Sequence, residues 1–132
     1  MLFYSIAMEC YFGTHQTPDS RPENGARLVC FSIPAAGITF KAPFRGDEEL
    51  HTEYASLLTL LEFIELNQKI FAGKQLKIYG DNLELIKQIQ NSTCRHEFSD
   101  LLRQVLKYKS KYKYSLGWIP KDQNPSTSFL FD

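Results

Sequence analysis

The chain has 132 residues, which suits one domain built on one core. Its 43% hydrophobic and 14% aromatic content belongs to a globular protein rather than a disordered one. With 15 basic and 15 acidic residues the formal net charge is zero, which argues against a strongly basic nucleic-acid coat protein but allows a local basic face.

Cys10, Cys30 and Cys94 are an odd set without metal-type spacing, so free thiols in a reducing compartment are expected. The first twelve residues lack a basic leading region and a small-residue cleavage site, and they carry Glu9. No run is long enough to span a membrane. These features point to a cytoplasmic protein with no membrane partner.

Leu2 to Phe12 reads as a central strand rich in Phe, Tyr and Ile. Alternation puts Phe3, Ser5, Ala7 and Glu9 on one side and Tyr4, Ile6 and Met8 on the other. A carboxylate there is costly to bury unpaired, so Glu9 either serves a site or marks where the strand emerges into solvent. Gly13 to Gly25 is a loop by composition, and His15 within it reads as solvated. Arg27 to Ile33 and Gly37 to Pro43 follow as strands joined by the tight Pro34–Gly37 connection, giving an antiparallel meander.

Gly46-Asp-Glu-Glu opens the longest helix, which is expected to run to about Phe71 and stop near Gly73, with Asp47 as N-cap. Leu50, Tyr54, Leu57, Leu61 and Ile64 make its apolar stripe, broadened by Leu58 and Leu60. Glu53 shares that face, whereas Glu62 and Glu65 can point elsewhere. By itself, Glu53 reads as a dipole-stabilising residue on the margin of the core.

Leu76 to Tyr79 is a short strand that meets Gly80-Asp81 and turns into a helix whose apolar face is Leu83, Ile86 and Ile89, widened by Leu85. Gly80 permits the turn and Asp81 stands where an N-cap belongs. A carboxylate at the end of a buried strand is also where α/β proteins place functional groups. Asn91 to Glu97 is a turn in which Cys94 and His96 read as surface residues. Ser99 to about Lys109 returns to helix on Leu101, Leu102, Val105 and Leu106.

Lys107, Lys109, Lys111 and Lys113 then alternate with tyrosines. Such a run is either a solvated face at a helix end or a nucleic-acid surface, and it would support the latter beside Asp81. Tyr114 to Ile119 is the last strand, and Ser126 to Asp132 a short tail. The order β-β-β-α-β-α-α-β asks for an α/β fold: a five-stranded mixed sheet, three strands antiparallel and the later two parallel to the first, with helices on its faces. It would gather Glu9, Glu53 and Asp81 at one end.

Thr52-Glu-Tyr-Ala-Ser-Leu-Leu-Thr-Leu-Leu-Glu62 resembles the first-helix motif of the ribonuclease H family, whose catalytic Glu is matched at Glu53. Ile78-Tyr-Gly-Asp-Asn82 is similar to the family's strand-to-helix motif, matched at its catalytic Asp by Asp81. Trp118-Ile-Pro-Lys-Asp-Gln-Asn124 looks like the segment leading into the last catalytic carboxylate. The resemblance covers essentially the whole chain, with departures at both ends. Glu9-Cys10-Tyr11 stands where the family has Asp followed by Gly, and Glu48, Glu49 and His51 stand near where substrate-contacting asparagines belong. Ser128 falls at the final Asp, with Asp132 one helical turn later.

The resemblance implies a ribonuclease H-like fold over residues 1–132. It also implies metal-dependent cleavage of RNA phosphodiesters in RNA–DNA hybrids. Glu9, Glu53 and Asp81 would then be the catalytic carboxylates, holding two Mg²⁺ or Mn²⁺ ions about 3.5–4 Å apart. The alternative is a catalytically inactive module that binds nucleic acid or a protein partner through the same scaffold.

Overall fold

A computed structural model of the protein describes residues 6–16, 26–46 and 48–128. Five strands, β1 (Ile6–His15), β2 (Ala26–Ile33), β3 (Ile38–Arg45), β4 (Lys74–Gly80) and β5 (Ser115–Trp118), form one sheet in the order β3-β2-β1-β4-β5. The β1–β2 and β2–β3 pairs are antiparallel, and β4 and β5 run parallel to β1. Helices α1 (Glu49–Leu66), α2 (Gln68–Phe71), α3 (Leu83–Asn91), α4 (Ser99–Tyr112) and α5 (Pro125–Ser128) complete the order. The mixed sheet is the one expected, and no described helix is long and apolar enough to cross a membrane.

Period-two alternation along β1 sends Met8, Cys10, Phe12 and Thr14 into the interior and leaves Glu9 exposed and Tyr11 half-buried. The core joins Cys10, Phe12, Phe31 and Ile78 of the sheet to Leu57, Leu61, Ile86 and Val105 of the helices. Buried Ser56 sets how closely α1 approaches: its Oγ lies 2.8 Å from the carbonyls of Gly13 and Cys30 and accepts from Cys30 N. Tyr54 Oη donates to Gln88 Oε1 at 2.7 Å, tying α1 to α3.

Several boundaries move. β1 runs on through Gly13 to His15, so His15 is half-buried strand rather than solvated loop, and strand pairing with β2 outweighs the turn-forming composition. The long helix breaks at Asn67, whose φ of −131° is non-helical, and α2 follows as a separate turn. Leu83 is 46% exposed because it lies in the first turn of α3, leaving Leu85, Ile86 and Ile89 as the buried face. Cys94 is half-buried and packs on the core, while His96 is exposed as expected. Residues 2–5, the N-cap expected at Asp47 and the tail to Asp132 lie outside the described residues; Glu48 takes the N-cap position. Cys10, Cys30 and Cys94 are free, and burial pushes the Cys10 thiol up to about 12 and the Cys30 thiol to about 11.

Gly80 faces the Phe12 ring, and a Cβ there would stand 2.4 Å from the ring's far carbon. Gly80→Ala should therefore overpack the core and cost about 1–3 kcal/mol in urea unfolding. Combining it with Phe12→Leu should give less than the sum of the two single losses.

Candidate functional site

β4 and α1 deliver two carboxylates to the same end of the sheet. β3 ends there, so α1 begins there, and Glu53 in its second turn points into the interior at 0% exposure. Thr14, near the end of β1, donates from Oγ1 to Glu53 Oε1 at 3.0 Å, and among the described residues Oε2 has no hydrogen-bond partner. Burial, and then the charge of Asp81, push the Glu53 carboxyl up to about 8, against the Thr14 bond and the Lys121 ammonium. The Glu53 carboxyl therefore takes up a proton more readily than an exposed glutamate does.

Asp81 follows Gly80 at the end of β4 and is partly buried. The helix cap expected of it is supplied instead by Asn82, whose Oδ1 accepts from Leu85 N at 3.0 Å. Asp81 Oδ2 accepts from Asn124 Nδ2 at 2.8 Å, and its carbonyl accepts from Trp118 Nε1 at 3.0 Å. Burial raises its pKa, while the Asn124 bond and Lys121 oppose the rise.

Asn124 is the clamp of the site. Fully buried, it also donates from Nδ2 to Phe12 O at 2.8 Å and accepts at Oδ1 from Ser126 N and Oγ. A Cβ at Gly13 would meet Asn124 Nδ2 at 3.0 Å, so glycine is what lets this amide reach the strand. Lys121 Nζ lies 3.5 Å from Thr14 O. Asn124 closes the Trp118–Asn124 segment, yet nothing in its spacing marks it as a buried clamp, and Thr14 is hidden in a loop-like composition.

Glu9 stands apart from this pair. It lies on the other face of the sheet, level with Lys77 in the β1–β4 register, and accepts from Tyr11 Oη at 2.8 Å. Thr14 is five positions on, about 16 Å of strand. Glu9 does not mark the strand's exit either, because β1 continues to His15. Among the described residues no group of three or more His, Cys, Asp or Glu side chains is placed to hold a metal. Ser128 is the last residue of α5.

The lysines expected to bind nucleic acid occupy the other end of the molecule. Lys107, Lys109 and Lys111 lie in the last half of α4 and Lys113 caps it, with Lys111 Nζ 3.2 Å from Glu65 Oε2. Glu65 is twelve residues beyond Glu53 along α1, a rise of about 18 Å. A lysine face beside Asp81 is not formed.

Neither a protein-family model nor a curated protein matches the sequence. Solved structures do. An RNase H1 isolated from compost by a metagenomic approach superposes with a TM-score of 0.70 at 15% identity, over 89% of this chain and 87% of that one. The same compost enzyme in complex with an RNA/DNA hybrid gives 0.71 at 14% identity, over 89% and 88%. RNase H1 from the halophilic archaeon Halobacterium salinarum gives 0.67 at 17% identity, over 91% and 90%. The chain has the ribonuclease H-like fold. At these identities the likeness is one of architecture.

Within this ribonuclease H-like fold, the raised Glu53 pKa links stability to pH. The folded state holds the proton more tightly than the unfolded chain, whose carboxyl titrates near 4.5. This stabilisation is therefore complete below about pH 4.5 and is lost as pH rises through about 8. Urea midpoints should fall between pH 5 and pH 8. Glu53→Gln, which keeps an uncharged acceptor for Thr14, should flatten that fall; an unchanged slope would assign the titration to another group.

Proposed function

We propose that this chain is a ribonuclease H-like nucleic-acid-binding module in which two-metal hydrolysis has lapsed. The observation that carries this reading is the donor set: among the described residues two carboxylates, Glu53 and Asp81, converge, and no group of three or more His, Cys, Asp or Glu is placed to hold a metal. Two divalent ions bring four positive charges and need several oxygen ligands between them. Among the described residues Glu53 and Asp81 offer at most two negative charges, with the Glu49 carboxylate and the Lys121 ammonium acting on both. The second metal expected from the sequence does not fit these residues. The partnerless Glu53 Oε2 beside Asp81 suits a proton, or a single Mg²⁺ that keeps most of its waters.

What remains is a polar cluster joined by the hydrogen bonds of Asn124 and Thr14. In this reading the cluster and its surroundings serve recognition, and Lys107, Lys109, Lys111 and Lys113 supply charge for phosphates. The hybrid-bound compost RNase H1 supports RNA–DNA hybrid or RNA as the ligand class. Asp81→Asn would leave the Asn124 contact possible while removing the more exposed carboxylate of the pair.

A labelled RNA–DNA hybrid should bind without being cut in either Mg²⁺ or Mn²⁺, at a rate indistinguishable from that of Asp81→Asn. Metal-dependent cutting that disappears in Asp81→Asn, and also in Glu53→Gln, would overturn the lapsed reading and restore a nuclease built on this pair.

A further inference from the structure

Formal neutrality hides an uneven distribution of charge along the sequence. Two stretches of sequence, 66–80 and 101–121, contain no Asp or Glu. The topology brings residues 66–76 of the first and 107–115 of the second together at the end away from Glu53 and Asp81, where β4 and β5 begin and α1 and α4 finish. Gln68 Nε2 there lies 3.4 Å from Tyr112 Oη. Among the described residues Lys111 alone of this group pairs with a carboxylate, that of Glu65. Among the described residues no ion pair engages Lys69, Lys74, Lys107, Lys109 or Lys113.

Shape accompanies the charge. A hollow of about 360 Å³ is floored by Ile64, Phe71 and Leu76 and rimmed by Lys69, Lys74 and Tyr112. A second, of about 340 Å³, opens between α1 and α4 and is lined by Glu65, Gln104, Lys107, Tyr108 and Lys111. Tyr108 and Tyr112, one turn apart on α4, stack with ring centroids 6.3 Å apart; one ring lines each hollow. Both rings are half-buried, so part of each phenol is open to solvent.

We infer that this end of the molecule binds a single strand of nucleic acid, its phosphates on the lysines and its bases against the tyrosines and the apolar hollow. Lysines alone would suit any polyanion. Phenol rings interleaved with them, beside an apolar hollow large enough to admit a base, favour a strand whose base faces are free to stack. A duplex keeps those faces covered. The inference rests on the nucleic-acid-binding reading above and names the surface used, remote from the carboxylates.

The test is titration of the whole chain with a labelled single-stranded oligonucleotide at several salt concentrations, alongside the same measurement on an RNA–DNA hybrid. The triple variant Lys69→Ala, Lys74→Ala, Lys107→Ala should weaken strand binding roughly tenfold and reduce the slope of log K against log salt by about 2. Tyr108→Ala should weaken it without changing the slope. If the wild-type chain binds strand or hybrid and the triple variant matches it, the lysine surface is wrong while the binding reading stands. If the wild type binds no nucleic acid, both fail. Competition by polyglutamate as effective as by the unlabelled strand would also overturn the inference, reducing the surface to a general anion site.

Discussion

Pairing on both edges of β1 is the constraint from which the rest of the architecture follows. With β2 antiparallel on one side and β4 parallel on the other, every β1 side chain is committed to one of two faces. Met8, Cys10, Phe12 and Thr14 go to the helices, and Glu9 and Tyr11 go to the other face. The parallel pairing places the ends of β1 and β4 together, so Thr14 and Asp81 arrive at one place. The meander through β2 and β3 returns the chain to that same end, where α1 has to start and Glu53 has to lie.

A carboxyl at 0% exposure is tolerated only if its charge is removed or matched. Here burial raises the carboxyl's affinity for a proton. Thr14 satisfies one oxygen, and Asp81, which would resist a second negative charge, is itself steadied by Asn124 and Lys121. Asn124 uses both donor and acceptor ends of its amide and ties β1, the end of β4 and the start of α5 into one unit. Because Asn82 caps α3, the Asp81 side chain is released from that duty and accepts from Asn124 instead.

The same topology sorts the surface charges. Acidic groups gather where α1 begins and β4 ends, and lysines gather where β4 and β5 begin and α4 ends. A basic group near a helix C-terminus also meets a favourable dipole, which helps α4 tolerate its run of lysines. Two ends of opposite character in a chain of zero net charge are therefore a product of chain path, not of composition.

The strands, the helices and the mixed sheet were legible from periodicity because apolar residues recur at the spacing each element requires, as in Leu57, Leu61 and Ile64 or Leu85, Ile86 and Ile89. Glu53 was legible as an acidic residue on a buried stripe, and Asp81 as a carboxylate at a strand end. Tertiary structure decided what those two residues meet. A hydrogen bond such as Thr14 to Glu53 joins positions 39 apart, and no local pattern encodes such a partner. The extension of β1 to His15 depended on a neighbouring strand outweighing turn-like composition. Alternation gave Glu9 a side, but only the packed helices determined which side was the interior. Sequence thus set the elements and their faces, through local sterics and burial; the site arose from which faces and ends the pairing of β1 brought together.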